Sequence, residues 1–319
     1  MMKYILGFVL VTAVGILYEK YQQKFLPDEE LRNVNLIKQF LLNDSNNLGK
    51  PVLWIHTENN VNARNWKSFY SRNTRQLNQP YIISCIETII KNCGNSFNIC
   101  LINDTSFRSL LGDWGINLDN LSGPVKKNAR HLGLSKLLYS YGGLLLPNST
   151  IVTKNLRTFF DKALQENDFF AVEGINKSST ADMINLFPMK NILGCRKNSK
   201  AMNKYISFLE RKLKTDYTGE GNFLGEDNKF LYQLFKKKEI TLIEGKVFGI
   251  IDKNCKTVTL DRLMSNEFIE FDNSKLHGII IPSEELLTRT QYQWFVRLSQ
   301  KQLRTCENNI SKYLLISQE

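Results

Sequence analysis

The sequence predicts an α/β domain built on a mostly parallel sheet, and three observations carry that expectation. Residues 52–102 read strand, helix, strand: the apolar run Val52–His56, an amphipathic stretch from Pro80 to about Asn92, and a second apolar run Phe97–Ile102. Strands joined through a helix pair in parallel by a right-handed crossover. The stretch Lys126–Leu156 then gives a helix, a two-glycine stop, the short apolar run Leu144–Leu146 and a polar loop. Finally, 319 residues with 42% hydrophobic and 23% charged side chains can bury a sizeable globular core.

At the N-terminus, Tyr4–Tyr18 is uncharged and strongly apolar, with Lys3 before it and Glu19, Lys20 and Lys24 after it. A bilayer span takes about 20 residues. Met1 and Met2 extend the run, and Tyr18 and Tyr21 suit the membrane interface. Residues 1–24 are therefore expected to be an uncleaved single-pass anchor that localises the protein to a membrane. A cleaved signal peptide and a buried helix are the alternatives, although no A-x-A cleavage site follows. Residues 25–50 are polar and Asn-rich and read as a stalk, leaving 51–319 as the domain.

Within the domain, the first strand ends at His56, and residues 57–78 form a long connection rich in Arg and aromatic side chains. Such a connection is either a ligand-binding loop or a flap packed on the sheet. Pro80 is suited to the first position of a helix. Tyr81, Ile82, Cys85, Ile86, Ile89 and Ile90 form its apolar stripe, and Cys93-Gly94 ends it. The second strand leads to Asn103-Asp104. Ligands of open α/β sheets bind beyond the carboxyl ends of the strands, so Asp104 is a candidate for touching a ribose or base. It could equally cap the turn at Thr105-Ser106.

Leu134, Leu137, Leu138 and Tyr141 share one helical face, Gly142 and Gly143 supply a stop, and Pro147 ends the strand that follows. The segment YSYGGLLLPNSTIVTKNL resembles the sugar-binding region of DXD-containing glycosyltransferases, the group that includes capsular-polysaccharide and mannosyl-transfer enzymes. The Pro51-to-His56 spacing is similar to the first strand of that family. The resemblance covers about Pro51 to Ile151 and implies a GT-A, Rossmann-like nucleotide-diphospho-sugar transferase fold. It makes His56, Asp104, Lys127, Arg130, His131, Tyr141, Gly142, Gly143, Asn148 and Ser149 candidates for binding a nucleotide-sugar. The family's Asp and Arg upstream of the Tyr-Gly-Gly fall on His131 and Leu134 here. Its metal-holding Asp-x-Asp falls on Pro147 and Ser149, around Asn148. No metal ligands and no Mn²⁺ or Mg²⁺ cofactor are therefore expected. The diphosphate would instead need cations, for which Lys126, Lys127, Arg130 and His131 are best placed. Read as solvated charges, Lys127 and Arg130 should be removable with little effect on stability.

Further on, residues 155–165 read as a helix, Phe169–Glu173 as a strand and Leu193–Cys195 as its return. Residues 198–213 read as a basic amphipathic helix, either solvated or lying on an anionic surface. In the glycosyltransferases the sequence resembles, an acidic residue often acts near the position of the glycine-rich stretch 218–229, which makes Glu226 and Asp227 the candidates for catalytic carboxylates; the alternative is acidic enrichment at a helix start. Residues 240–250 look like a β-hairpin around Glu244-Gly245. Ser283 should cap a long helix over 284–306.

The net charge of +11 favours anionic partners or reflects a lysine-rich surface. No nucleic-acid fingerprint is present, so none is expected as a partner. Six cysteines without a CxxC pair suggest reduced core thiols. The sequence thus supports two functions. One is a membrane-anchored enzyme moving sugar from a nucleotide-sugar to a glycan or protein acceptor without a DXD metal. The other is a non-catalytic, membrane-tethered binding or structural module. The Asn-, Lys- and Ile-rich composition suits an A/T-rich genome such as that of a large DNA virus, with a virion or host membrane as its place.

Overall fold

A computed structural model of the chain describes residues 37, 39–42, 49–58 and 79–318. The chain divides into two compact units, Met1–Phe40 and Leu41–Glu319. In the first, the described residues show only a turn in which the Phe40 N–H donates to the Ile37 carbonyl. The expected anchor, nearly all of the stalk and the Arg-rich connection lie outside the described residues. Among those residues, no helix is long and apolar enough to cross a membrane.

The second unit is an α/β fold on a mixed six-stranded sheet. Strands β1 (Val52–His56), β2 (Asn98–Ile102) and β3 (Gly143–Pro147) are parallel, in the order β2-β1-β3. Strand β4 (Thr150–Val152) leaves this sheet and leads to helix α4 (Arg157–Ala163). Strands β5 (Phe169–Ile175) and β6 (Leu186–Cys195) form an antiparallel pair, and β6 is antiparallel to β3. Strand β7 (Thr241–Ile243) closes the far edge in parallel with β5, so three of the five pairings are parallel.

Alternation along β1 sorts its two faces. Leu53 and Ile55 enter a core shared with helix α1 (Pro80–Cys93), through Ile89 and Cys93. Trp54 and His56 point to the opposite side, toward helix α3 (Gly123–Tyr141), which follows the short α2 (Ser106–Leu110). Gly143 fixes how closely β3 follows this helix. Its φ is +107°, and a Cβ there would come within 2.1 Å of the Val52 carbonyl oxygen, so only glycine fits.

A second core packs on the N-terminal half of α1, through Tyr81, Ile82, Cys85 and Ile86. It is built from the two-stranded sheet of β4 and β8 (Gly278–Ile280) and from C-terminal helices. Cys85, Cys93, Cys100 and Cys195 are buried free thiols.

Two sequence readings are corrected. Residues 240–250 are not a hairpin. Only Thr241–Ile243 is strand, it pairs with β5, and a 3₁₀ turn at Gly245–Phe248 drives Phe248 into the core. The helix expected over 284–306 is broken into short pieces, Ser283–Thr288, Gln293–Val296 and Gln300–Thr305. The first break is held by Arg289, which grips Asp261 with both guanidinium nitrogens at 2.8 Å. The second is a new start, because Ser299 and Gln302 form a capping box. Nor does Ser283 cap the first piece. Pro282 is at the cap position, without a side-chain bond.

Candidate functional site

The site gathers at the carboxyl ends of β1 and β2. His56 and Ile102 are register partners, so residues just past Ile102 emerge beside the imidazole. Asn103 turns its side chain back, its Oδ1 accepting from the backbone N–H groups of Thr105 and Ser106. Asn103 therefore caps the turn, and Asp104 is left for other work.

Arg130 on α3 takes Asp104 bidentately, Nε to Oδ1 and Nη2 to Oδ2, both at 2.7 Å. His56 Nε2 lies 3.0 Å from Oδ1, Lys126 Nζ lies 3.7 Å from Oδ2, and Arg130 Nη1 donates to Glu58. Burial disfavours the Asp104 charge, but hydrogen bonds from Arg130 and His56 and the attraction of the Arg130 guanidinium outweigh it. Its carboxyl is held well below the usual carboxylate range. The His56 ring also stacks on Phe107, at 5.8 Å and 10°. Arg130 is thus a built-in structural ion pair with an 11% exposed side chain, not the solvated charge expected from sequence.

His56 and Glu58 of this network line a crevice of about 350 Å³, together with Gln79, Lys127, Asn148, Glu284 and the apolar Ile82 and Leu287. Lys127 reaches across its mouth to Glu284 at 2.9 Å, and both side chains are largely exposed. Glu58, Gln79 and Glu284 were not singled out as ligand contacts from sequence. Glu58 could have been, being two residues past the end of β1. Glu284 had no signal, since only tertiary closure brings it to Lys127.

The remaining candidates are placed elsewhere. The Tyr141 hydroxyl donates to the Leu110 carbonyl at 2.6 Å, and the Tyr141 ring meets the edge of Trp54. The Gly142 carbonyl accepts from the Trp54 indole at 2.9 Å, so Tyr141, Gly142 and Gly143 lock β1 to β3. Ser149 is buried and donates to the Ile281 carbonyl at 2.8 Å, while Pro147 ends β3. Of the three residues at the Asp-x-Asp positions only Asn148 lines the crevice. Pro147 and Ser149 bring no carboxylate there, so this strand end does not fit a divalent metal. Among the described residues, no group of three His, Cys, Asp or Glu converges elsewhere to hold one.

His131 follows Arg130 in sequence but joins a different cluster, on helix α5 (Lys200–Thr215) and α7 (Glu226–Lys236); between them lies the single turn α6 (Glu220–Phe223). His131 Nε2 hydrogen-bonds the Tyr205 hydroxyl at 2.8 Å. Burial, with Lys190 and Lys212 nearby, pushes its pKa down to about 3 against the pull of Asp227, so the ring is neutral. Asp227 is buried between Lys190 at 2.5 Å and Lys212 at 2.6 Å. Burial opposes its charge, yet the lysines hold it down at about 2. Glu226 lines a separate groove between α5 and α7. The structure therefore brings His56, Asp104, Arg130, Lys127 and Asn148 together, and leaves His131, Glu226 and Asp227 outside that crevice.

No family model matches this sequence, and no curated protein matches it. Among solved structures, the chain is similar to the apo-form glycosyltransferase GlyE of Streptococcus pneumoniae TIGR4, with 16% identity and a TM-score of 0.34. That match covers 62% of this chain and 46% of GlyE, so the chain spans less than half of GlyE's length. It is also similar to the galactosyltransferase LgtC in complex with donor and acceptor sugar analogs, with 12% identity and a TM-score of 0.36 over 83% of this chain and 95% of that one.

Proposed function

We propose that this chain is a glycosyltransferase-type, membrane-anchored protein that holds a nucleotide-sugar in the crevice at the ends of β1 and β3, without a divalent metal. The observation that carries the reading is the crevice itself. It opens at the carboxyl ends of parallel strands, His56, Glu58, Asn148 and Glu284 line it beside the apolar Ile82 and Leu287, and Lys127 supplies an exposed cation. The Tyr-Gly-Gly resemblance supports the same reading from the sequence side.

Within that reading, binding without transfer is the better supported activity. A departing nucleoside diphosphate needs concentrated positive charge. Arg130 is already held by Asp104 and Glu58, and His131 is neutral and in another cluster. Among the described residues, Lys127 is the exposed cation lining the crevice. Asp227, one of the two carboxylates that would have served transfer chemistry, is neutralised by two lysines, and Glu226 faces the separate groove.

The test is titration calorimetry with UDP-, GDP- and CMP-sugars at millimolar concentration. One of them should bind, with less than a tenfold gain from Mn²⁺. Lys127→Ala should weaken binding by about 1–3 kcal/mol, the value of a charged hydrogen bond. Absence of binding to all three donor classes would remove the reading. Release of free sugar or a transferred product would restore the enzyme.

A further inference from the structure

We propose that His56 is fixed as the tautomer protonated on Nε2, and that its bare Nδ1 accepts a hydrogen bond from a ligand hydroxyl in the crevice. This rests on the nucleotide-sugar reading above and narrows it to one atom and one kind of ligand group.

The tautomer follows from counting donors. Asp104 is gripped through both oxygens by Arg130, and an ionised carboxylate can only accept. The His56 Nε2 atom, 3.0 Å from Oδ1, must therefore be the donor. A neutral imidazole carries a single N–H, so Nδ1 is left with its lone pair. Nδ1 has no hydrogen-bond partner among the described residues, and the ring lines the crevice. Asp104 at one edge and Phe107 against the face fix the ring plane, so the acceptor is preoriented.

The chemistry of the wall selects the ligand group. Glu58 and Glu284 add two carboxylates to the Nδ1 lone pair, and Lys127 contributes an exposed cation. Such an acceptor-rich crevice suits a ligand that brings donors, and sugar or ribose hydroxyls are the donors of a nucleotide-sugar. Among the described residues, the charged groups around the ring are Asp104 beyond β2, Glu58 beyond β1, Lys126 and Arg130 on α3, and Lys127 with Glu284 at the mouth.

The experiment has a ligand-free arm and a binding arm. Nitrogen-15 spectra of the protein at neutral pH should show His56 protonated on Nε2; an Nδ1–H signal overturns the proposal without reference to any ligand. In calorimetry at pH 7.5, the wild type is titrated with UDP-glucose, GDP-mannose and a CMP-sugar. His56→Gln keeps a donor toward Asp104 and has nothing in place of Nδ1. It should melt like the wild type and bind the donor roughly tenfold more weakly, the scale of one hydrogen bond. His56→Asn offers an oxygen near the Nδ1 position and should retain most of the affinity, even if it is less stable. Contributions from Glu58 or Glu284 persist in both variants and cancel in the comparison. Deoxy donors then separate a ribose hydroxyl from a hydroxyl of the transferred sugar. Equal binding by wild type and His56→Gln overturns the proposal while leaving the nucleotide-sugar reading intact. An Nε2–H signal with no binding by any donor overturns that reading, and this hydroxyl contact with it.

Discussion

Arg130 and His131 are neighbours in sequence and belong to two charged clusters of opposite character. Arg130 joins His56, Asp104 and Glu58 on a wall that opens to solvent, where the Glu58 side chain is 43% exposed. His131 joins Tyr205, Asp227, Lys190 and Lys212 in the interior, where the Lys212 and Asp227 side chains are 3% and 4% exposed. Both clusters are satisfied by charge, but a buried cluster cannot exchange a partner for water or ligand. A cluster at a crevice can. The difference teaches which charges here are available for recognition and which hold the helices together.

The largest expected effect comes from breaking the interior cluster. Asp227→Ala strands Lys212 without its counter-charge and should cost about 3–5 kcal/mol in chemical denaturation. Asp104→Ala at the crevice should cost less, roughly 1–3 kcal/mol, because Arg130 retains Glu58 and some water. Equal losses would erase the distinction between the clusters.

Acid offers the next test. His131 is held neutral in the fold, with a pKa near 3, and ordinary when unfolded, near 6.5. The unfolded chain binds the extra proton between those values. Stability from this group is therefore complete above about pH 6.5 and is lost as pH falls toward 3. Between pH 6.5 and 4.5 the loss should be about 2 kcal/mol, and His131→Gln should remove most of that slope. Asp227 adds its own loss only lower, as the pH falls from about 4 toward 2.

A smaller effect should follow from Arg130→Lys. The charge stays but the bidentate grip on Asp104 goes, for about 1 kcal/mol of stability. The smallest belongs to the crevice mouth. Glu284→Gln breaks an exposed pair and should leave stability within about 0.5 kcal/mol of wild type. If a nucleotide-sugar binds there, the freed Lys127 should hold it at least as tightly.

The elements legible from sequence were those written in local periodicity. The apolar run of β1, the Pro80 start of α1 and the Gly142-Gly143 stop of α3 are each specified within a few residues. Asp104 was legible as a strand-end carboxylate, yet its choice between capping and pairing was not. That choice depends on Asn103 taking the turn and on Arg130, 26 residues away, reaching back. The C-terminal segment misled for the same reason. Its apolar spacing reads as one helix, and the breaks come from Arg289 finding Asp261, a partner 28 residues distant.

Helix α1 belongs to both hydrophobic cores, the C-terminal one through Tyr81, Ile82, Cys85 and Ile86 and the sheet through Ile89 and Cys93. Thr88 and Asn92 also complete β4, accepting from the Val152 N–H and donating to its carbonyl, each at 2.9 Å. A wall shared in this way ties the fate of the two cores together. The C-terminal segment cannot open on its own without exposing the apolar half of α1 and stripping β4 of its hydrogen bonds. Amide protons in α1, in β4 and in Asn309–Gln318 should therefore exchange through one common opening event, at the rate of global unfolding, while the short helix Ser283–Thr288 at the crevice exchanges faster through its own.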